Sequence, residues 1–121
     1  MERILVIYDA PGSRRTVGRI LEPAGYDVIT ARAGPNAIEA FRKTNPGLVV
    51  LDLCEQGKSG QDLCREIRAN SDVPLLVLSA VGDLADVVVL LELGADGYIT
   101  KPCSPGEVLA RVRTAMRRLI Y

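Results

Sequence analysis

Short uninterrupted apolar runs alternate along this chain with stretches whose apolar residues recur every three or four positions. Ile4-Leu5-Val6-Ile7-Tyr8 is the first such run, closed by Asp9-Ala10-Pro11-Gly12, whose proline and glycine punctuate a turn. From Ser13, which suits a helix N-cap, Val17, Ile20, Leu21 and Ala24 recur at helical spacing up to Gly25. Pro23 removes the amide that would bond the Arg19 carbonyl, so a distorted last turn is expected there. The alternation continues with strands over 26–31, 48–53, 74–78 and 97–100, and helices over 36–44, 62–69 and 83–93. Ser104-Pro105-Gly106-Glu107 offers a capping box with proline at the first helical position, opening a last helix that buries Val108, Val112, Ala115, Met116 and Leu119.

Leu48-Val49-Val50-Leu51-Asp52-Leu53 is apolar on both faces of a strand, the mark of a central position in a parallel sheet covered by helices. Five strands alternating with five helices predict an α/β fold: a doubly wound, flavodoxin-like, five-stranded parallel sheet, (βα)5, with right-handed crossovers. A chain of 121 residues fits one such domain, residues 1–121, with no internal boundary, repeat or low-complexity segment.

Charge and cysteine content narrow the function classes. Fifteen basic and fifteen acidic residues cancel, which gives no global attraction to nucleic acid or anionic membrane. Cys54, Cys64 and Cys103 form no C-x-x-C pair, and without histidine there is neither a zinc site of the usual kind nor a catalytic triad. A reducing cytoplasm is the expected location. No signal peptide is expected, and no apolar run reaches the ~20 residues that span a bilayer.

Ligands of open α/β sheets bind beyond the carboxyl ends of the strands. Those ends carry Tyr8 and Asp9, Asp52, Ser79 and Ala80, and Lys101-Pro102. Two acids together repel, but a hard cation such as Mg²⁺ and a lysine keep both ionised. An aspartate so held can accept a phosphoryl group, with Lys101 neutralising its oxygens and Ser79 donating a hydrogen bond. No Gly-rich turn supports a nucleotide site at Gly57-Lys58-Ser59.

In order along the chain, Ile4 to Asp9, Leu51-Asp52-Leu53, Gly57 and Gly60, Val73-Pro74, Leu78-Ser79-Ala80 and Leu93-Gly94-Ala95-Asp96-Gly97-Tyr98-Ile99-Thr100-Lys101-Pro102 resemble the receiver domain of two-component response regulators. The ending Glu107 to Arg113, with Arg117-Arg118, is similar to the OmpR/PhoB branch, whose receiver precedes a DNA-binding domain. That domain is not part of this chain, so any DNA contact is expected through it. The resemblance implies that Asp52 is the phosphoacceptor for a sensor histidine kinase. It assigns Asp9, Asp52 and the Cys54 carbonyl to Mg²⁺, Lys101 to the phosphoryl group, and Ser79 and Tyr98 to a switch pair, with a cis bond at Lys101-Pro102. Such a protein phosphorylates itself and is not an enzyme toward external substrates. The fourth helix, fifth strand and fifth helix form the family's readout and homodimer face.

The pattern departs from the family at Tyr8, which stands where a second pocket acid is usual. A charge missing at ~5 Å from a divalent ion forfeits roughly 6 kcal/mol gross at an effective dielectric of ~20. Desolvation avoided offsets part of this, yet a net ~1.4 kcal/mol already weakens Mg²⁺ tenfold. Weak Mg²⁺ binding and slow phosphorylation follow, and the alternative is a pseudo-receiver that works as an interaction module without phosphate. Glu55-Gln56 and Cys103 also depart, the last replacing a usual phenylalanine. Val87-Val88-Val89-Leu90-Leu91 wraps the whole circumference of its helix, so one side packs inward and the other meets solvent or a partner. Val87, Val88, Leu91, Glu92, Asp96, Glu107, Arg111 and Arg118 are the expected partner face.

Overall fold

The computed structural model describes residues 2–10, 16–53, 58–79 and 84–117. Its elements are β1 (Arg3–Tyr8), α1 (Thr16–Leu21), β2 (Asp27–Arg32), α2 (Pro35–Thr44), β3 (Leu48–Leu53), α3 (Lys58–Asn70), β4 (Leu75–Ser79), α4 (Leu84–Glu92), β5 (Gly97–Thr100) and α5 (Pro105–Arg117). The five strands form one parallel sheet in the order β2-β1-β3-β4-β5, the doubly wound arrangement that the alternation predicts.

Strand residues alternate between two apolar layers. Leu5, Ile7, Val49, Leu51, Leu75 and Val77 pack against α2, α3 and α4. Ile4, Val6, Leu48, Val50, Leu76 and Leu78 pack against α1 and α5 through Val17, Leu21, Val108 and Val112. Both faces of β1, β3 and β4 are therefore dry, which explains why these strands read as unbroken apolar runs.

The distortion expected at Pro23 is a 3-10 turn over Glu22–Ala24, closed by Gly25 at φ 98°, whose N–H donates to the Glu22 carbonyl. Only glycine adopts that backbone without strain. Helix α3 begins four residues earlier than the spacing predicts, at Lys58 rather than Asp62. The first turn carries no apolar periodicity to announce it; Gly60 there lies so close to β3 that a Cβ would stand 2.7 Å from Leu53 Cδ1. Strand β4 runs from Leu75 to Ser79, one residue later than expected; the Pro74 carbonyl accepts the Val49 N–H at 2.9 Å, but proline has no N–H to give the ladder. At α5, Ser104 Oγ accepts the Glu107 N–H at 3.1 Å, as the capping motif requires. The N-cap expected at Ser13 and the burial expected for Leu119 lie outside the described residues.

Candidate functional site

Register places the strand ends side by side. Tyr8 pairs with Asp52 and Asp52 with Leu78, while Ser79 pairs with Leu53 and with Thr100. The Asp9 N–H reaches the Asp52 carbonyl at 3.4 Å, and the Lys101 N–H donates to the Ser79 carbonyl at 2.8 Å. Backbone bonds thus draw the β1, β3, β4 and β5 ends into one rim.

Alternation along β3 sends Asp52 to the α1/α5 side, the same side as Leu48 and Val50. Its side chain is 1% exposed, and the Lys101 ammonium donates to its Oδ1. Oδ2 has no hydrogen-bond partner among the described residues. A carboxylate oxygen buried without a donor costs free energy unless a cation or donor meets it. Ser79 is buried at the end of β4 on the opposite side of the sheet, the side that Tyr98 also packs against. The Lys101-Pro102 peptide is cis.

Asp9 is half-buried next to Asp52, and Tyr8 is half-buried at the strand end itself. Two carboxylates are within what Mg²⁺ takes from protein, since it keeps several waters. Among the described residues no group of three or more ligating side chains gathers. The fit to a metal therefore rests on Asp9, Asp52 and the unpartnered Oδ2. Cys54, whose carbonyl was expected to join them, and the loop acid Glu55 lie outside the described residues.

The expected partner face divides. Val88 is 45% exposed and Leu91 42%, with Val89 also open and Val87 half-buried, while Leu90 turns inward. Glu92, Glu107 and Arg111 are exposed, and Arg118 lies outside the described residues. Asp96 is exposed and also bonded within the chain: its Oδ2 accepts from the Arg68 guanidinium at 2.6 Å and from the Leu75 N–H at 2.8 Å. Arg68 also donates to the Gly94 carbonyl at 2.8 Å and to the Val73 carbonyl, tying α3 to the segments before β4 and β5. Nothing in the spacing announces this staple, because an arginine on a helix flank carries no signal of a partner 28 residues away.

Two further features were not legible in the spacing. Cys64 is fully buried in the α2/α3 layer, and burial pushes its thiol up to about 11. A cavity of about 370 Å³ opens between α1 and α5, with Asp52 and Lys101 on its wall.

Residues 4–113 match the family described as response regulator receiver domain. The probable transcriptional regulator ycf27 of Porphyridium aerugineum is 47% identical over 118 residues, 98% of this chain and 49% of that protein. The DNA-binding response regulator MtrA of Mycolicibacterium smegmatis is 44% identical over 117 residues, 97% of this chain and 51% of that protein. The chain spans about half the length of these relatives. The BeF3-activated N-terminal receiver domain of Klebsiella pneumoniae RstA superposes with a TM-score of 0.88 at 31% identity, covering 96% of this chain and 99% of that one.

Proposed function

The chain belongs to the response regulator receiver domain family, in its OmpR/PhoB-like branch, and on that premise we propose that Asp52 accepts a phosphoryl group from the phosphohistidine of a sensor kinase. The observation that carries this reading is the buried Asp52 carboxylate, held by Lys101 at one oxygen and unpartnered at the other.

An Asp52 oxygen bonds to phosphorus as the P–N bond of phosphohistidine breaks, and the electron pair of that bond leaves on the imidazole. The product is an acyl phosphate on the chain itself, so no external substrate is turned over. Lys101, already in contact with Asp52, neutralises the growing negative charge, and the Ser79 hydroxyl donates to a phosphoryl oxygen. Asp9 and Asp52 are the residues that would hold Mg²⁺, which when bound supplies further charge neutralisation to the phosphoryl oxygens.

Ser79 and Tyr98 lie on the sheet side that carries α4, so movement of the hydroxyl toward phosphate and of the ring into the vacated space reaches that helix. The exposed Val88, Val89 and Leu91 form the apolar centre of a homodimer face completed by Glu92, Glu107, Arg111 and Arg118. The output is transcriptional, through DNA binding of the kind that the relatives' names carry, this chain spanning about half of their length. Its location is the cytoplasm; no helix among the described residues is long and apolar enough to cross a membrane.

Incubation with acetyl phosphate and Mg²⁺ tests the proposal. One added phosphoryl group, lost in Asp52→Asn, is the expected result, together with a shift toward dimer. An unchanged mass at every Mg²⁺ concentration overturns it. Tyr8 at the strand end favours the second reading in that event: a pseudo-receiver whose dimer forms without phosphate.

A further inference from the structure

Side chains do not fill the whole of the layer between α1 and α5. A cavity of about 370 Å³ stands there, within the ~300 to ~1,000 Å³ typical of small-molecule sites. Its wall is apolar: Val17 and Ile20 come from α1, Leu78 from β4, Val108 from α5, and Pro102 and Cys103 from the segment between β5 and α5. Val17, Leu78 and Val108 are at most 2% exposed, so the space reaches into the core layer rather than lying over it. Thr16 is exposed and marks the side open to solvent.

The few polar groups on the wall decide what the cavity accepts. Asp52 and Lys101 are bonded to each other. Burial, with the nearby Glu107 carboxylate, raises the pKa of the Cys103 thiol, so it is protonated at neutral pH and adds no charge. The second Asp52 oxygen is assigned above to the phosphoryl site and is not used by this one. A charged guest of either sign loses hydration against the apolar wall and meets one member of the Lys101–Asp52 pair as a like charge. An uncharged ring has little hydration to lose, and it covers surface that water wets poorly.

We infer that this cavity is a binding site for an uncharged, ring-sized apolar molecule, held by shape and burial between α1 and α5. Such a guest touches both helices at once and binds only the folded chain, so occupancy raises stability. Binding goes beyond the phosphoryl chemistry proposed above and does not depend on Asp52 as phosphoacceptor.

The test compares uncharged 1-naphthalenemethanol with 1-naphthylmethylamine and 1-naphthoate on the unphosphorylated chain without Mg²⁺, followed by amide chemical shifts. Saturable one-to-one binding of the alcohol is expected, at least tenfold tighter than either charged probe, with shifts centred on Val17, Ile20 and Val108. The urea midpoint rises with alcohol concentration. Cys103→Trp and Ile20→Trp, which fill the cavity from different walls, each weaken the alcohol at least tenfold. Asp52→Asn leaves its affinity within about threefold. The native amide spectrum of each variant shows that loss of binding is not loss of fold; either filling variant suffices if the other does not fold, and the shift map of the unaltered chain decides if neither does. Absence of saturable binding, a charged probe that binds as tightly as the alcohol, shifts centred on Val88 and Leu91, or indifference to a folded filling variant overturns the inference. A tenfold loss in Asp52→Asn places the probe on the phosphoryl site and overturns it as well. A chain that never takes phosphate from acetyl phosphate counts against the phosphoacceptor reading alone and leaves the binding result standing.

Discussion

The Lys101 ammonium bonds Oδ1 of Asp52 and leaves Oδ2 of the same buried carboxylate without a partner among the described residues. The two ends of this pair are not equivalent, because the Lys101 side chain is 23% exposed and Asp52 only 1%.

Removing either end should therefore cost different amounts. Lys101→Ala strands a buried charge, and urea unfolding without divalent ions should show a loss of about 3 kcal/mol. Asp52→Asn leaves a lysine that can turn to water, and the loss should stay below about 1 kcal/mol. Equal losses in the two variants would show that the carboxylate is not the confined partner.

Tyr8 stands beside Asp52 in the ladder, where an added carboxylate would face the same hollow. Tyr8→Asp is expected to tighten Mg²⁺ at least tenfold, about 1.4 kcal/mol, and to speed labelling by acetyl phosphate. Isothermal titration of the two proteins side by side checks this, and unchanged affinity rules out the missing charge as the cause of weak binding.

Exposed Val88 and Leu91 are expected to drive association of the phosphorylated chain. Val88→Asp should weaken the dimer by tenfold or more in sedimentation equilibrium, with monomer stability moved by less than about 0.5 kcal/mol because the side chain does not pack inward.

The staple made by Arg68 joins three backbone segments, and its side chain is only 19% exposed. Arg68→Ala should destabilise the fold by about 3 kcal/mol, through the Asp96 carboxylate and the carbonyls left without a donor. Arg68→Lys should recover less than half of this, since one ammonium cannot reproduce the planar fork. Gly94 approaches the same side chain at φ 113°, and a Cβ there would lie 2.6 Å from Arg68 Cγ. Gly94→Ala should therefore cost about 1–3 kcal/mol by strain alone.

Cys64 ties stability to alkaline pH. Its folded thiol, near 11, lies above the ordinary value of 9.0 because burial penalises the thiolate. The folded chain keeps a proton there that the unfolded chain releases, so stability falls as pH rises from about 9 to about 11. The loss should approach 2–3 kcal/mol at the top of that window, and Cys64→Ala should flatten the profile in urea melts taken across it. A wild-type profile no steeper than that of the variant would exclude this thiol as the cause.

Much of the architecture was legible because apolar periodicity is a local signal. β3 and β5 occur with the bounds that their composition and flanking turns predict, and the 3-10 turn at Pro23 follows from one missing amide. The start of α3 was not legible, because Lys58 to Gln61 has no apolar stripe and is helical through continuity with the turns that follow. Of the site, the acids and the lysine could be assigned to strand ends, since doubly wound topology places those ends on one rim.

What the sequence by itself determined is thus the element order, the sheet type and the residues available for chemistry, all set by spacing along the chain. Tertiary structure alone decided which oxygen of Asp52 meets Lys101 and which has no partner, that Asp96 answers Arg68, that Cys64 is sealed in a core layer, and that a cavity separates α1 from α5. The physical reason is range. Helix and strand preferences act over a few residues, whereas these contacts join positions up to 49 apart and depend on how side chains fill the space between packed layers.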